Sequence, residues 1–182
     1  MHDLSLSDGI EITLEQLLDA KEQRALRQKQ WLAEINSPLL SLTLNIPGAI
    51  KNSSAARFLL GQATTEAIHI CQNQNWWIQK QENNIQDTGL ELLMTIEAPI
   101  DILKSAFVIL ENTHPLGRLW DFDIIDGNGI PVSRKNYNQP ARKCLLCQEE
   151  AHICRRNQKH SLGELIKKIE TIIHAFYPEK NA

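Results

Sequence analysis

With 182 residues and an ordinary apolar share of 42 %, the chain is long enough to bury one substantial core and short enough to do so as a single domain, residues 1–182. A formal net charge of −3 argues against holding nucleic acid by bulk electrostatics, and no run approaches the ~20 apolar residues a membrane-spanning helix needs. The N-terminus carries Asp3, Asp8 and Glu11 rather than a basic start and an apolar stretch, so no secretory signal is expected and a cytoplasmic location with reduced thiols is the default.

Residues 4–12 read as a loose leader. Thr13 and Gln16 have the spacing of a capping box, and a helix follows through Leu17, Leu18, Ala25, Leu26 and Trp31 to an end near Asn36-Ser37-Pro38. Residues 39–46 alternate as a strand that Pro47-Gly48 breaks, and Lys51 lies in the turn before an Asn52 or Ser53 cap. A second helix is expected over 54–74, with Phe58, Leu59, Ala63, Ala67, Ile68 and Cys71 toward the core. Residues 76–80 and 90–96 read as strands, with Asn83-Asn84 and Asp87-Thr88-Gly89 as loop signals between them. Pro99 suits the first turn of a third helix through Ile102, Leu103, Phe107 and Leu110. A strand over 114–126, a hairpin return through 130–134, a polar loop to Pro140 and a last helix from about Ser161 complete the order. Hairpins mixed with helices, without regular βαβ alternation, predict an α+β domain: a mixed or antiparallel sheet with helices packed on it. Neither a Gly-x-Gly-x-x-Gly nor a P-loop pattern is present.

The strand from His114 to Asp126 carries the most chemistry. Asp121 and Asp123 project from one face of it, with Phe122 on the other. Two neighbouring carboxylates repel unless a cation lies between them, and Mg²⁺ commonly bridges one or two carboxylates to substrate phosphates. With Arg118 and His114 just upstream, the pair suggests phosphate chemistry. The plainer reading is the solvated face of an edge strand, with Asp126 and Gly127-Asn128-Gly129 forming a turn.

A second cluster runs from Arg142-Lys143-Cys144-Leu145-Leu146-Cys147 to Cys154 and His160. These three cysteines and the histidine offer four ligands for tetrahedral Zn²⁺. The two halves are closer together than in a zinc finger, so reduced thiols packing a short helix are the favoured reading. Arg134, Lys135, Arg142, Lys143, Arg155, Arg156 and Lys159 also make this a basic stretch in an acidic protein, suited to clamping phosphates or meeting an acidic partner.

Taken together, these segments closely resemble the apo-citrate lyase phosphoribosyl-dephospho-CoA transferases, also called citrate lyase holo-acyl-carrier-protein synthases. The resemblance lies in residues 27–32 (Arg-Gln-Lys-Gln-Trp-Leu), 47–53 (Pro-Gly-Ala-Ile-Lys-Asn-Ser), 114–123 (His-Pro-Leu-Gly-Arg-Leu-Trp-Asp-Phe-Asp), 142–147, Cys154 and His160. It implies transfer of a 2′-(5″-triphosphoribosyl)-3′-dephospho-CoA precursor to a serine of the citrate lyase acyl carrier subunit, with pyrophosphate leaving. The related transferase serving malonate decarboxylase implies a nucleotidyltransferase-like fold. Its Gly-Ser signature is replaced here by Leu116-Gly117-Arg118, which puts that fold in doubt but not the carboxylate pair.

On this reading Asp121 and Asp123 hold Mg²⁺, and Lys51 and Arg118 contact phosphates. Arg142 and Lys143 hold the dephospho-CoA portion. His114 or a metal-bound aspartate takes the serine proton, and His114 serves equally well as a cap on the preceding helix. Two other classes stand beside it: a non-catalytic module that binds the carrier protein, and a small zinc-binding structural protein. Nucleic acid and membrane are not expected partners.

Overall fold

The computed structural model describes residues 4–133 and 141–179. At its centre is an antiparallel sheet of β1 (Leu39–Leu44), β2 (Trp77–Gln86), β3 (Gly89–Glu97) and β4 (Trp120–Ile125), in the order β2-β3-β1-β4. Around it lie α1 (Leu14–Glu34), α2 (Ser54–Asn73), α3 (Ile100–Thr113), α4 (Ala151–Arg156) and α5 (Leu162–Glu179), with a 3-10 turn at Gly117–Leu119. The α+β class is as expected, and the sheet is antiparallel throughout. Among the described residues no helix is long and apolar enough to cross a membrane.

Local chemistry sets the helix starts. Thr13 accepts from the Gln16 N–H while the Gln16 side chain accepts from the Thr13 N–H. The Ser53 hydroxyl accepts from the Ala56 N–H and starts α2. Ser161 and Glu164 repeat the reciprocal arrangement ahead of α5.

Alternation along the strands then divides the sheet into two faces. Leu40, Leu42, Leu92, Met94, Trp120 and Phe122 enter the main core with α2, α3 and α5, through Leu59, Phe107 and Ile169. The alternate residues face α1. Leu39, Leu93 and Ile125 meet Trp31 there in a small second cluster, and the rest of that face is polar.

As an outer strand, β4 leaves backbone groups unpaired, and α3 supplies partners for them. Glu111 Oε1 accepts from the Phe122 N–H at 2.7 Å, and Lys104 Nζ donates to the Phe122 carbonyl at 3.2 Å. Both side chains are buried, so the edge is closed by charged groups inside the protein.

Several expectations need correction. Asn83-Asn84 lies inside β2, because pairing with Leu92 and Glu91 of β3 overrides its loop propensity. Pro99 is the residue capping α3 rather than a member of its first turn. Residues 114–119 are a turn and a 3-10 segment, so β4 begins only at Trp120. The leader is not loose. Leu6 is buried, the Asp8 carboxylate accepts from the Ser54 N–H at 2.9 Å, and the Ser5 carbonyl accepts from the Ala55 N–H at 3.0 Å. The unpaired N–H groups of the first turn of α2 hold it there. The expected return strand makes a bridge from Pro131 to Ile125, and the Val132 N–H donates to the Ile124 carbonyl. The polar loop that follows, with Arg134 and Lys135, lies outside the described residues.

Candidate active site

The polar half of the α1-facing sheet surface is organised by register. Thr43 of β1 pairs with Glu91 on one side and Asp121 on the other, and Ser41 pairs with Asp123. Asp121 and Asp123 share this face, while Phe122 points into the core between them. Helix α1 covers the neighbouring positions: Arg24 and Arg27 both pair with Glu91, and Gln28 Nε2 donates to Ser41 Oγ at 2.9 Å. Asp123 is exposed at the surface, yet the protein packed around it partly desolvates its carboxyl. That desolvation, and secondly the neighbouring Asp121 charge, raises its pKa from the ordinary value.

Beside this acidic pair opens a cavity of about 1000 Å³. Seven lysines and arginines line it: Lys21 and Arg24 from α1, Lys51 before α2, Arg118 from the 3-10 turn, Arg142 and Lys143, and Arg155 from α4. Glu91 is the one carboxylate among its described lining residues. Burial, then the nearby Lys21 charge, pulls the Lys51 ammonium below its ordinary pKa. Burial, then Arg142, does the same to Arg118. Cations crowded this way against one another favour an anionic occupant. The apolar wall from Leu17, Pro47, Leu145, Leu162 and Leu165 gives such an occupant a surface for an uncharged part.

A smaller cleft of about 260 Å³ contains Asp123 and shares Lys21 and Arg24 with the large cavity. Asp121 meets the large cavity through Arg142, whose guanidinium lies 3.0 Å from its carboxylate and also pairs with Glu111. Arg118 donates to the Lys143 carbonyl, and Lys51 Nζ donates to the Ile46 carbonyl at 2.5 Å. Lys51, Arg118, Arg142 and Lys143 are thus gathered around one space, while neither aspartate lines it: Asp121 touches it through Arg142 and Asp123 lies in the adjoining cleft.

His114 is not brought there. Its ring stacks on Trp120 with centroids 4.6 Å apart, and it also contacts Phe176. Its Nδ1 accepts from the Leu116 N–H at 3.1 Å, and its own N–H donates to the Leu110 carbonyl as the cap of α3. Trp120 and the aspartates alternate along β4, so His114 lies on the opposite side of the sheet from them. The capping alternative is what the structure contains.

Cys144, Cys147, Cys154 and His160 converge beside the cavity, with Cys144, Cys154 and His160 in its wall. Lys159 is engaged with Glu149 at 2.6 Å. Sequence reasoning passed over Lys21, Arg24, Glu91 and Glu111. Lys21, Arg24 and Gln28 stand at helical spacing on one face of α1, which was a usable signal. Glu111, a carboxylate next to the apolar Phe107-Val108-Ile109-Leu110 run, was another.

A family model described as apo-citrate lyase phosphoribosyl-dephospho-CoA transferase matches residues 12–176. Proteins of that name from Escherichia coli (strain UTI89) and Shigella boydii serotype 18 are each 36 % identical over 163 residues, covering 90 % of this chain and 89 % of each relative.

Proposed function

The chain belongs to the apo-citrate lyase phosphoribosyl-dephospho-CoA transferase family, and on that premise we propose a donor, an acceptor and a division of labour among its residues. It is a transferase that modifies apo-citrate lyase. The donor we assign is 2′-(5″-triphosphoribosyl)-3′-dephospho-CoA, and the acceptor is a serine hydroxyl of the acyl carrier (gamma) subunit. The serine oxygen bonds to the α-phosphorus, the bond to the β-phosphate oxygen breaks, and pyrophosphate leaves. The whole transfer is carried by one 1–182 domain in the cytoplasm, where thiols such as Cys144 and Cys154 stay reduced.

The observation that carries this reading is the cavity with seven cationic side chains against one carboxylate among its described lining residues, joined to Asp121 through Arg142 and adjoining the cleft that holds Asp123. A donor bearing many phosphate oxygens matches that charge, and nothing in the net charge of −3 would otherwise call for it. Lys51 and Arg118 bind the triphosphate, and Arg142 and Lys143 bind the dephospho-CoA portion. The arginine forks orient pairs of oxygens, while the lysines act as point charges.

Asp121 and Asp123 fit a hard divalent cation. They form an all-oxygen set on one sheet face with the hydroxyl-bearing Thr43 and Ser41 as register partners. Mg²⁺ held there would neutralise charge on the α-phosphate and the departing pyrophosphate. With His114 on the far side of the sheet, the serine proton passes to the aspartate pair.

The deciding experiment is mass spectrometry of purified acyl carrier subunit after incubation with this protein, the triphosphate donor and Mg²⁺. A mass gain of one phosphoribosyl-dephospho-CoA group on a serine, with equimolar pyrophosphate, is expected. An unmodified carrier would refute the assignment and leave the cavity to a non-catalytic binding role.

A further inference from the structure

We propose that Cys144, Cys147, Cys154 and His160 bind one zinc ion in a closed, tetrahedral structural site. All four ligand atoms lie within 4.8 Å of one another. Cys154 Sγ is 3.4 Å from Cys144 Sγ and 4.0 Å from Cys147 Sγ. Ligand sulfurs about 2.3 Å from a tetrahedral zinc ion lie about 3.8 Å apart, so the observed spacing brackets the required one. All three cysteines are free thiols.

Two features are hard to explain by thiol packing alone. The first is His160 Nε2, which is buried and has no hydrogen-bond partner. A buried unsatisfied nitrogen costs roughly 1–3 kcal/mol, and coordination removes that cost. The second is the turn around Cys144, whose sulfur accepts from the Leu146 N–H at 3.4 Å, an arrangement that suits the thiolate a metal ligand must be.

The backbone delivers the four groups from both ends. The Cys144 N–H donates to the Glu149 carbonyl and the Ala151 N–H to the Arg142 carbonyl, closing a short loop that carries Cys144 and Cys147. Cys154 comes from α4. Gln158, at φ +47°, then reverses the chain so that His160 returns to the cluster. Three thiolates and an imidazole select zinc over hard cations, and four protein ligands leave no open position for catalysis. Among residues 141–160 Cys154 is the one residue buried as a whole, so the metal supplies the order that a core would otherwise give this wall.

The test uses full-length protein purified under reductant and without chelator. Metal analysis should find one zinc per chain. The chelated apoprotein, titrated with Co²⁺ alone, should develop thiolate-to-cobalt charge-transfer absorption and tetrahedral ligand-field bands that saturate at one equivalent. Cys147→Ser and His160→Ala should each weaken Co²⁺ binding at least about tenfold, whereas Cys71→Ser, which alters a core cysteine outside the cluster, should leave it unchanged. Absence of zinc together with absence of charge-transfer absorption in the unaltered protein overturns the proposal. So does a disulfide among the three cysteines in protein kept under reductant. Neither readout depends on transferase activity, so this site and the transfer reaction stand or fall separately.

Discussion

Arg142 holds Asp121 across 21 positions of sequence: its guanidinium lies 3.0 Å from the Asp121 carboxylate and pairs at the same time with Glu111, which is 2 % exposed. Glu111 in turn accepts the Phe122 N–H, so one chain of contacts runs from the edge strand through α3 to the cysteine-bearing wall. Arg142 lies two residues before Cys144, and the proposed zinc site therefore sets where that guanidinium stands. Arg142→Lys should retain charge but lose the fork that spans both carboxylates. Weaker donor binding, seen as a raised KM, and a stability loss of about 2 kcal/mol by urea unfolding are expected, because Glu111 is left short of a partner.

Asp121→Asn and Asp123→Asn should each lower the rate of carrier modification by about 100-fold or more, since charge stabilisation at the reacting phosphorus is removed. Both side chains point away from the main core, so unfolding midpoints should move little. Pyrophosphate release at saturating Mg²⁺ measures the effect, and near-normal rates would remove both residues from the mechanism.

As the proposed phosphate contact, Lys51 should tie donor binding to pH. Its pKa lies below the ordinary 10.5 because burial and the Lys21 charge disfavour the ammonium. Donor affinity should therefore begin to fall, as pH rises, earlier than for an ordinary lysine. Lys51→Arg should move that fall to higher pH, which fluorescence or calorimetric binding at several pH values would detect. Stability has the opposite sense. Between the lowered folded pKa and 10.5 the unfolded chain holds more protons, so this group's contribution to stability increases with pH across that window.

Gly117→Ala tests how closely the 3-10 turn approaches α3. A Cβ at Gly117 would lie 2.6 Å from the Glu111 carbonyl oxygen and 2.7 Å from that of Leu110. The turn must shift, at a cost of about 1–3 kcal/mol, and Arg118 and Asp121 shift with it. Transfer activity should fall more than the unfolding midpoint predicts. Unchanged activity would show that the position of Arg118 matters little.

Leu116-Gly117-Arg118 illustrates what pattern reading can miss. In sequence it is legible only as a departure from a Gly-Ser signature. In three dimensions the glycine answers a backbone contact with α3, and the arginine reaches the Lys143 carbonyl. His114 illustrates the converse. Its proximity to Asp121 in sequence suggested a shared site, but the turn before Trp120 leaves it on the other side of β4.

The sequence by itself determined the helix starts at Thr13 and Ser161, the strand alternation, the common face of Asp121 and Asp123, and the kinship carried by residues 114–123. These are local facts, written in caps and in a two-residue period. Only the tertiary structure decided that Lys21, Lys51, Arg118 and Arg142 surround one cavity, that Glu111 closes the edge strand, and that Cys144 and His160 meet. Each joins residues from separate elements, and which elements meet depends on how the sheet buries both of its faces, which no local pattern encodes.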